Sequence, residues 1–402
     1  MGLIEKLRRI AAPSDEAEGA VPSHDPPGGW ADGCGGRFWV RRVRHPVEHA
    51  HGDVRLGDVL AAPSAALAPL ARERSVDAMD FRRAVFFDTE TTSLGGGVGS
   101  YVFLLGAGFF DGDAFVVEQF FLRAMADEPA LLAAVNERLG AFELAVSFHG
   151  KGFDAPRLAD RFAFHRMRPA LPPAHLDLCI VGRSLYRGAF QDCRLQTFER
   201  ELVGFRRVDD LPGEMCPAAF FHWLRGDASL VARVFEHNLL DILTLPAIAA
   251  RFAREADAPS HPVVLSNLGA HHEAAGRDAQ ARAAYDAALQ GLRAAGHPHL
   301  PRVLERLALL ERRAGRHAAS ARLLLERTGA LPHALEPFED LAKYYEHRAR
   351  DLDRAEAMTV EARTRVETGQ FGLDPATRAR RLREIDHRLA RVRRRRARDA
   401  VS

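Results

Sequence analysis

The chain is poor in cysteine and has no long apolar run. Its four cysteines, Cys34, Cys179, Cys193 and Cys216, stand apart with no Cys-x-x-Cys pair in 402 residues. That spacing excludes a zinc ribbon or a dense disulfide framework and suits a reducing compartment. No uninterrupted apolar stretch approaches the roughly 20 residues that a membrane span needs. The first residues, Met1 to Ile10, lack the apolar core of a secretory signal, so a cytoplasmic protein without a membrane partner is expected. Charge of one sign is missing too. The formal net charge is +2, so a basic surface has to be local to matter. Hydrophobic residues at 47% and charged residues at 27% fit a soluble globular protein, and the length allows two or more domains.

Residues 1–36 mix Pro, Gly, Ser, Asp and Glu with few apolar anchors and read as a flexible leader. The segment Arg37-Phe38-Trp39-Val40-Arg41-Arg42-Val43-Arg44 then alternates apolar and basic residues, as an exposed edge strand would. Its basic face meets either solvent or a phosphate backbone. His45, His49 and His51 follow in loop-like sequence, with metal ligation as one alternative.

The chemistry starts at Phe86-Phe87-Asp88-Thr89-Glu90-Thr91-Thr92, where an apolar run delivers two carboxylates to its polar end. A strand alternates with period two, so Asp88 and Glu90 project from one face. Two acids held about 4 Å apart repel by roughly 4 kcal/mol at an effective dielectric near 20. A cation, a shared proton or solvent must offset that. Alone, the pair fits an ordinary surface equally well.

Gly95-Gly96-Gly97 turns the chain into two further apolar runs, residues 101–110 and 114–122, joined by the hairpin signal Asp111-Gly112. Helical spacing over 128–144 puts Leu131, Leu132, Val135, Leu139 and Phe142 on one side, and Leu144-Ala145-Val146-Ser147-Phe148 reads as a short buried strand. Asp154 falls where that strand hands over to a helix, with Pro156 suited to the first turn; it is a cap or a ligand. Asp177 caps an element or supports a site, and the structural role is favoured. Residues 193–204 read as a helix stopped by Gly204. In the helix expected over 230–245, His237, Asp241 and Thr244 lie at i, i+4 and i+7, a polar line on an otherwise apolar helix whose members need partners.

These stretches, in this order, resemble the YprB-type ribonuclease H-like proteins with tetratricopeptide repeats, a branch of the DnaQ-like DEDD exonuclease superfamily. The resemblance is carried by residues 87–92, 147–154 and 237–241 and covers about 37–252 before continuing into the repeats. It implies an α/β fold: a ribonuclease H-like mixed sheet flanked by helices over 37–256, then an all-α domain. It implies that Asp88, Glu90, Asp154 and Asp241 bind two divalent ions, and hard oxygen ligands favour Mg²⁺ or Mn²⁺. With His237 these acids form the catalytic set. His149, Lys151 and Thr91 are the candidate substrate contacts. The implied reaction is two-metal hydrolysis of DNA or RNA, as a 3′-5′ exonuclease on single-stranded ends. His149 stands where the superfamily has Asn. His237 has the spacing of the tyrosine found in other members, and an imidazole there would orient or deprotonate the water. The alternative is a non-catalytic nucleic-acid-binding adaptor.

From about Ser260 the period changes. Leu268-Gly269, His272, Gly276, Ala281, Tyr285 and Ala288 follow tetratricopeptide spacing, and copies near Leu307 and Leu341 complete three units over 260–368. Such repeats imply a protein partner, or an intramolecular clamp. Residues 372–402 are expected to be a basic helix or tail. Its arginines, including Arg393 to Arg396, meet nucleic acid or solvent.

Overall fold

The structure, a computed structural model, describes residues 25–72, 79–93 and 99–399. Most of the expected leader and the Gly95-Gly96-Gly97 turn lie outside the described residues. The chain divides into two compact units at Pro259 and Ser260.

A seven-stranded sheet organises the first unit. Its strands are β1 (Gly29–Gly33), β2 (Gly36–Pro46), β3 (Ala84–Thr91), β4 (Val102–Asp111), β5 (Ala114–Phe121), β6 (Leu144–Ser147) and β7 (Ala174–Asp177). The spatial order is β1-β2-β5-β4-β3-β6-β7, antiparallel from β1 to β3 and parallel from β3 to β7. Two expectations change here. Residues 29–33, assigned to the leader, form a strand because Trp30 and its neighbours pair with residues 36–40. That strand covers β2, which is therefore not an edge. The arginines of β2 instead find protein acids: Arg42 pairs with Glu118, and Arg44 with Asp111 at 2.8 Å.

Helices α1 (Glu128–Gly140), α2 (Asp154–Phe164), α3 (Leu178–Tyr186), α4 (Cys216–Leu224) and α5 (Val231–Asp257) flank the sheet. On α1, Leu131, Leu132, Val135 and Leu139 are buried as their spacing predicts. Glu128 at its start bonds the buried Arg161 of α2 at 2.6 Å. Helix α5 runs twelve residues past the expected end. Pro246 removes one backbone donor, but Ile248 and Phe252 keep the apolar stripe buried, and that burial outweighs the lost bond. Residues 195–203 are helical as expected, with a π turn over Glu199–Val203 that ends at Gly204 with φ 74°. The π turn re-aims Glu199 inward, where it is 1% exposed.

The second unit is all helix among its described residues: α6 (Pro262–Ala274), α7 (Asp278–Ala295), α8 (Leu300–Arg313), α9 (His317–Ala330), α10 (Glu336–Tyr344), α11 (Leu352–Glu367) and α12 (Pro375–Asp399). Helix α6 packs on α7, α8 on α9, and α10 on α11. Gly276 and Gly315 make the turns within the first two pairs at φ 70° and 75°. Gly269 is a small residue for a reason: a Cβ there would stand 2.7 Å from the Tyr285 ring. On α12, Ile385, Leu389 and Val392 are buried, and several of the arginines around them pair with acids. Arg391 donates to the fully buried Glu346 at 2.7 Å, Arg393 to Glu356 at 2.7 Å, and Arg396 to Glu356 at 2.8 Å.

Candidate active site

Strand β3 positions the first two acids. Its ladder with β4 shifts between Glu90 and Thr91, an irregularity of the kind that re-aims side chains beside functional sites. Asp88 pairs with Gly106 of β4. A Cβ at position 106 would collide with Asn238 Oδ1 and stand 2.8 Å from Ile242 Cγ1, so the glycine allows α5 to press onto the sheet. Asn238 Nδ2 then donates to Asp88 Oδ2 at 3.1 Å, while its Oδ1 accepts from Gln119 Nε2 at 3.0 Å. Gln119 thereby fixes which end of the amide faces the acid.

Helix α5 supplies the opposite wall. His237 and Asp241 lie one turn apart, and His237 Nε2 is 3.8 Å from Glu90 Oε1 and 3.4 Å from Asp241 Oδ2. The other ring nitrogen, Nδ1, is 2.9 Å from Asp210 Oδ1. Asp241 Oδ1 accepts from Arg207 Nη2 at 2.6 Å. Arg207 also donates to Glu199 Oε2 at 2.8 Å and to Asp210 Oδ2 at 3.2 Å. Glu199 in turn accepts from Thr244 Oγ1, and His51 Nε2 lies 3.2 Å from it. The polar line His237, Asp241, Thr244 is therefore fully engaged, as burial requires.

One oxygen each from Asp88, Glu90 and Asp241 lie within 4.8 Å of one another. A second group with the same closeness joins Glu90, His237 and Cys216, the first residue of α4. Asp154 falls outside both. It enters from the Thr89 side of β3, where the Thr89 hydroxyl donates to its Oδ1. Asp177 caps α3 through Cys179 N at 3.0 Å and also accepts from His149 N at 2.8 Å and Lys151 N at 3.1 Å. One carboxylate thus ties down the loop that precedes Asp154. His149 is exposed there with φ 68°, a left-handed conformation that asparagine and histidine adopt more readily than bulkier residues. The Thr91 hydroxyl donates to the Ser93 carbonyl at 2.9 Å and so holds the end of the strand.

The electrostatics follow from crowding. Burial, then the Asp241, Asp154 and Glu90 carboxylates, push Asp88 well above the ordinary carboxylate range. Burial raises Glu90 to about 8, against the opposing effect of His237. Burial also lifts Asp154 to about 6, against the Thr89 hydrogen bond. For His237, burial alone would lower the pKa, but Asp241, Glu90 and Asp210 outweigh it and raise it. These acids are held together at a cost that a bound cation would remove. The three convergent carboxylates of Asp88, Glu90 and Asp241 fit a divalent ion bound through oxygen.

Sequence reasoning missed Arg207, Asp210, Glu199, Asn238 and Cys216. Arg207 and Asp210 sit in the connection over 206–213, whose only signal is polarity without a period. Asn238 was passed over beside His237, although a second polar residue on an apolar helix asks for a partner in the same way.

The RNase H superfamily matches residues 85–253, a span that contains Asp88, Glu90, Asp154, His237 and Asp241. The protein YprB of Bacillus subtilis (strain 168), described as uncharacterized, is 32% identical over 228 residues, or 55% of this chain. The match covers 54% of YprB, so the chain spans about half the length of that relative. RNase H-like domains are nucleic-acid hydrolases in general and typically use divalent metals, which fits the buried acids. The match over residues 85–253 and the 32% identity to YprB over 55% of the chain together support a YprB-type, RNase H-like reading of this region.

Proposed function

We propose that the first unit hydrolyses nucleic-acid phosphodiester bonds as a metal-dependent 3′-5′ exonuclease on single-stranded ends. The observation that carries this is the convergence of Asp88, Glu90 and Asp241, with one oxygen each inside 4.8 Å, in a place where burial already disfavours the charge of Asp88 and Glu90. Asp88, Glu90, Asp154 and Asp241 would hold two Mg²⁺ or Mn²⁺ ions, which when bound activate the attacking water and neutralise the leaving oxyanion. The residues themselves do the positioning. Asp210 at Nδ1 fixes the imidazole of His237 so that Nε2 points at Glu90 and Asp241, the side from which a proton is exchanged with water. Asn238 holds the Asp88 carboxylate in one orientation. His149 and Lys151, on the loop braced by Asp177, and Thr91 at the end of β3 are the proposed substrate contacts.

The paired helices of the second unit are proposed to be tetratricopeptide-type repeats that take a protein partner. Free cysteines at all four positions fit a reducing, cytoplasmic location, and no helix among the described residues is long and apolar enough to cross a membrane.

One observation favours a second reading, a nucleic-acid-binding adaptor without hydrolysis. Arg207 already neutralises Asp241 at 2.6 Å, so an internal cation occupies part of the acid that a metal would need. Degradation of 5′-end-labelled single strands with Mg²⁺ or Mn²⁺ separates the two. A ladder shortening from the 3′ end supports the exonuclease; wild-type protein that binds DNA or RNA and cuts neither supports the adaptor.

A further inference from the structure

Cys216 is fully buried, begins helix α4, and has its sulfur within 4.8 Å of a Glu90 oxygen and a His237 nitrogen. A hard-cation nuclease site has no use for a thiol. Sulfur, imidazole and a single carboxylate together make the donor set of a borderline-soft ion such as Zn²⁺.

Two further features point the same way. Asp210 engages His237 Nδ1 at 2.9 Å, which turns Nε2 toward Glu90 and Asp241 as the nitrogen able to ligate; metal-bound histidines almost always carry such a carboxylate on the other nitrogen. At Gly213 a Cβ would stand 3.3 Å from Nε2, so the glycine keeps that edge of the ring clear. Burial, then the Glu90, Asp241 and Asp88 carboxylates, push the Cys216 thiol well up, so a cation binds the sulfur only by displacing its proton.

We infer that Glu90, Cys216 and His237 form a binding site for a thiophilic divalent cation of the zinc class, and that its occupation inhibits the hard-cation reaction by taking Glu90. On binding, the Cys216 thiol releases its proton to solvent, and three protein donors leave one tetrahedral position for water. Glu90 belongs to both donor groups, so the two kinds of occupation compete. The inhibition presupposes the hydrolysis proposed above, whereas the binding does not.

Cobalt is the direct probe, because a thiolate bound to Co²⁺ absorbs strongly in the near ultraviolet. Titration of the metal-free full chain with Co²⁺ should give one equivalent of this band, abolished by one equivalent of Zn²⁺. Cys216→Ser should remove the band and weaken Co²⁺ binding by about 100-fold, and His237→Gln should weaken binding by at least about 10-fold. Circular dichroism and thermal melts establish that each variant is folded. No thiolate band in the wild type at saturating Co²⁺ would overturn the site, as would a band that persists in Cys216→Ser. A second arm adds stoichiometric Zn²⁺ to the Mn²⁺-dependent reaction, each protein compared with its own zinc-free rate. Wild type should lose at least about 10-fold and Cys216→Ser less than about twofold. Equal inhibition of both overturns the competition. If no hydrolysis occurs under any condition, the function above fails while the cobalt titration still decides the site.

Discussion

Asn238 reaches Asp88 at 3.1 Å only because the residue opposite Asp88 in the neighbouring strand is Gly106. The apolar fit of α5 against β4 and the orientation of the carboxylate are one piece of packing. Gly106→Ala would drive a methyl into Asn238 and Ile242, an overpacking cost of about 1–3 kcal/mol. Denaturant melts should show that loss, with metal affinity lower as Asp88 moves. Asn238→Ala should cost a similar roughly 1–3 kcal/mol by removing the partner of a buried acid.

Asp210 contacts His237 Nδ1 at 2.9 Å, so in the proposed reaction it would act through His237. Asp210→Ala removes the carboxylate that fixes Nδ1 and also one partner of Arg207. We expect kcat to fall by about 10–100-fold with KM nearly unchanged, measured on single-stranded substrate under saturating Mn²⁺. A change confined to KM would make Asp210 a substrate contact instead.

The raised pKa values set a pH dependence with a definite sign. Between the ordinary 4.5 of a glutamate and about 8, folded Glu90 keeps a proton that the unfolded chain has released. Asp88 and Asp154 are raised as well. The folded state thus binds more protons than the unfolded state in this window. Stability of the metal-free protein falls as pH rises, by about 1.4 kcal/mol per pH unit for each proton held. His237, also raised, adds stability at low pH that is lost through its folded pKa, with the same sign. Thermal melts from pH 5 to 8 should show the decline. Asp88→Asn or Glu90→Gln should flatten it, as should saturating Mn²⁺.

Six arginines of α12, namely Arg381, Arg388, Arg391, Arg393, Arg395 and Arg396, pair with acids of its own unit. Glu346, fully buried, is reached by Arg388, Arg391 and Arg395. Arg391→Ala should therefore lower thermal stability of the second unit. The slope of log binding constant against log salt for single-stranded nucleic acid should change by well under about 1, the value expected for losing one phosphate contact.

How far the sequence carried depends on the kind of element. Asp88 and Glu90 were legible because strand alternation fixes their common face, and His237 and Asp241 because a helical turn does the same. Leu131, Leu132, Val135 and Leu139 showed their helix by spacing alone. Gly269, Gly276 and Tyr285 announced a helix pair before any contact was known. Arg207 and Asp210 could not be found this way. They lie in a connection without a period, and only the fold brings them to His237 and Asp241. The strand over Gly29–Gly33 was hidden for a related reason: its glycines read as leader, and pairing with β2 is what makes it a strand. The end of α5 was misjudged because Pro246 is a local stop signal that tertiary burial overrides.

In the proposed function Asp88 and Asp241 serve metal-dependent hydrolysis rather than structure alone. Single-turnover cleavage of an end-labelled strand by the full chain, with Mn²⁺ and with chelator, tests it most directly. The wild type should cleave only with metal, and folded Asp88→Asn and Asp241→Asn should cleave at least about 100-fold more slowly. Cleavage that survives the chelator, or that proceeds undiminished in either folded variant, would contradict the proposed function.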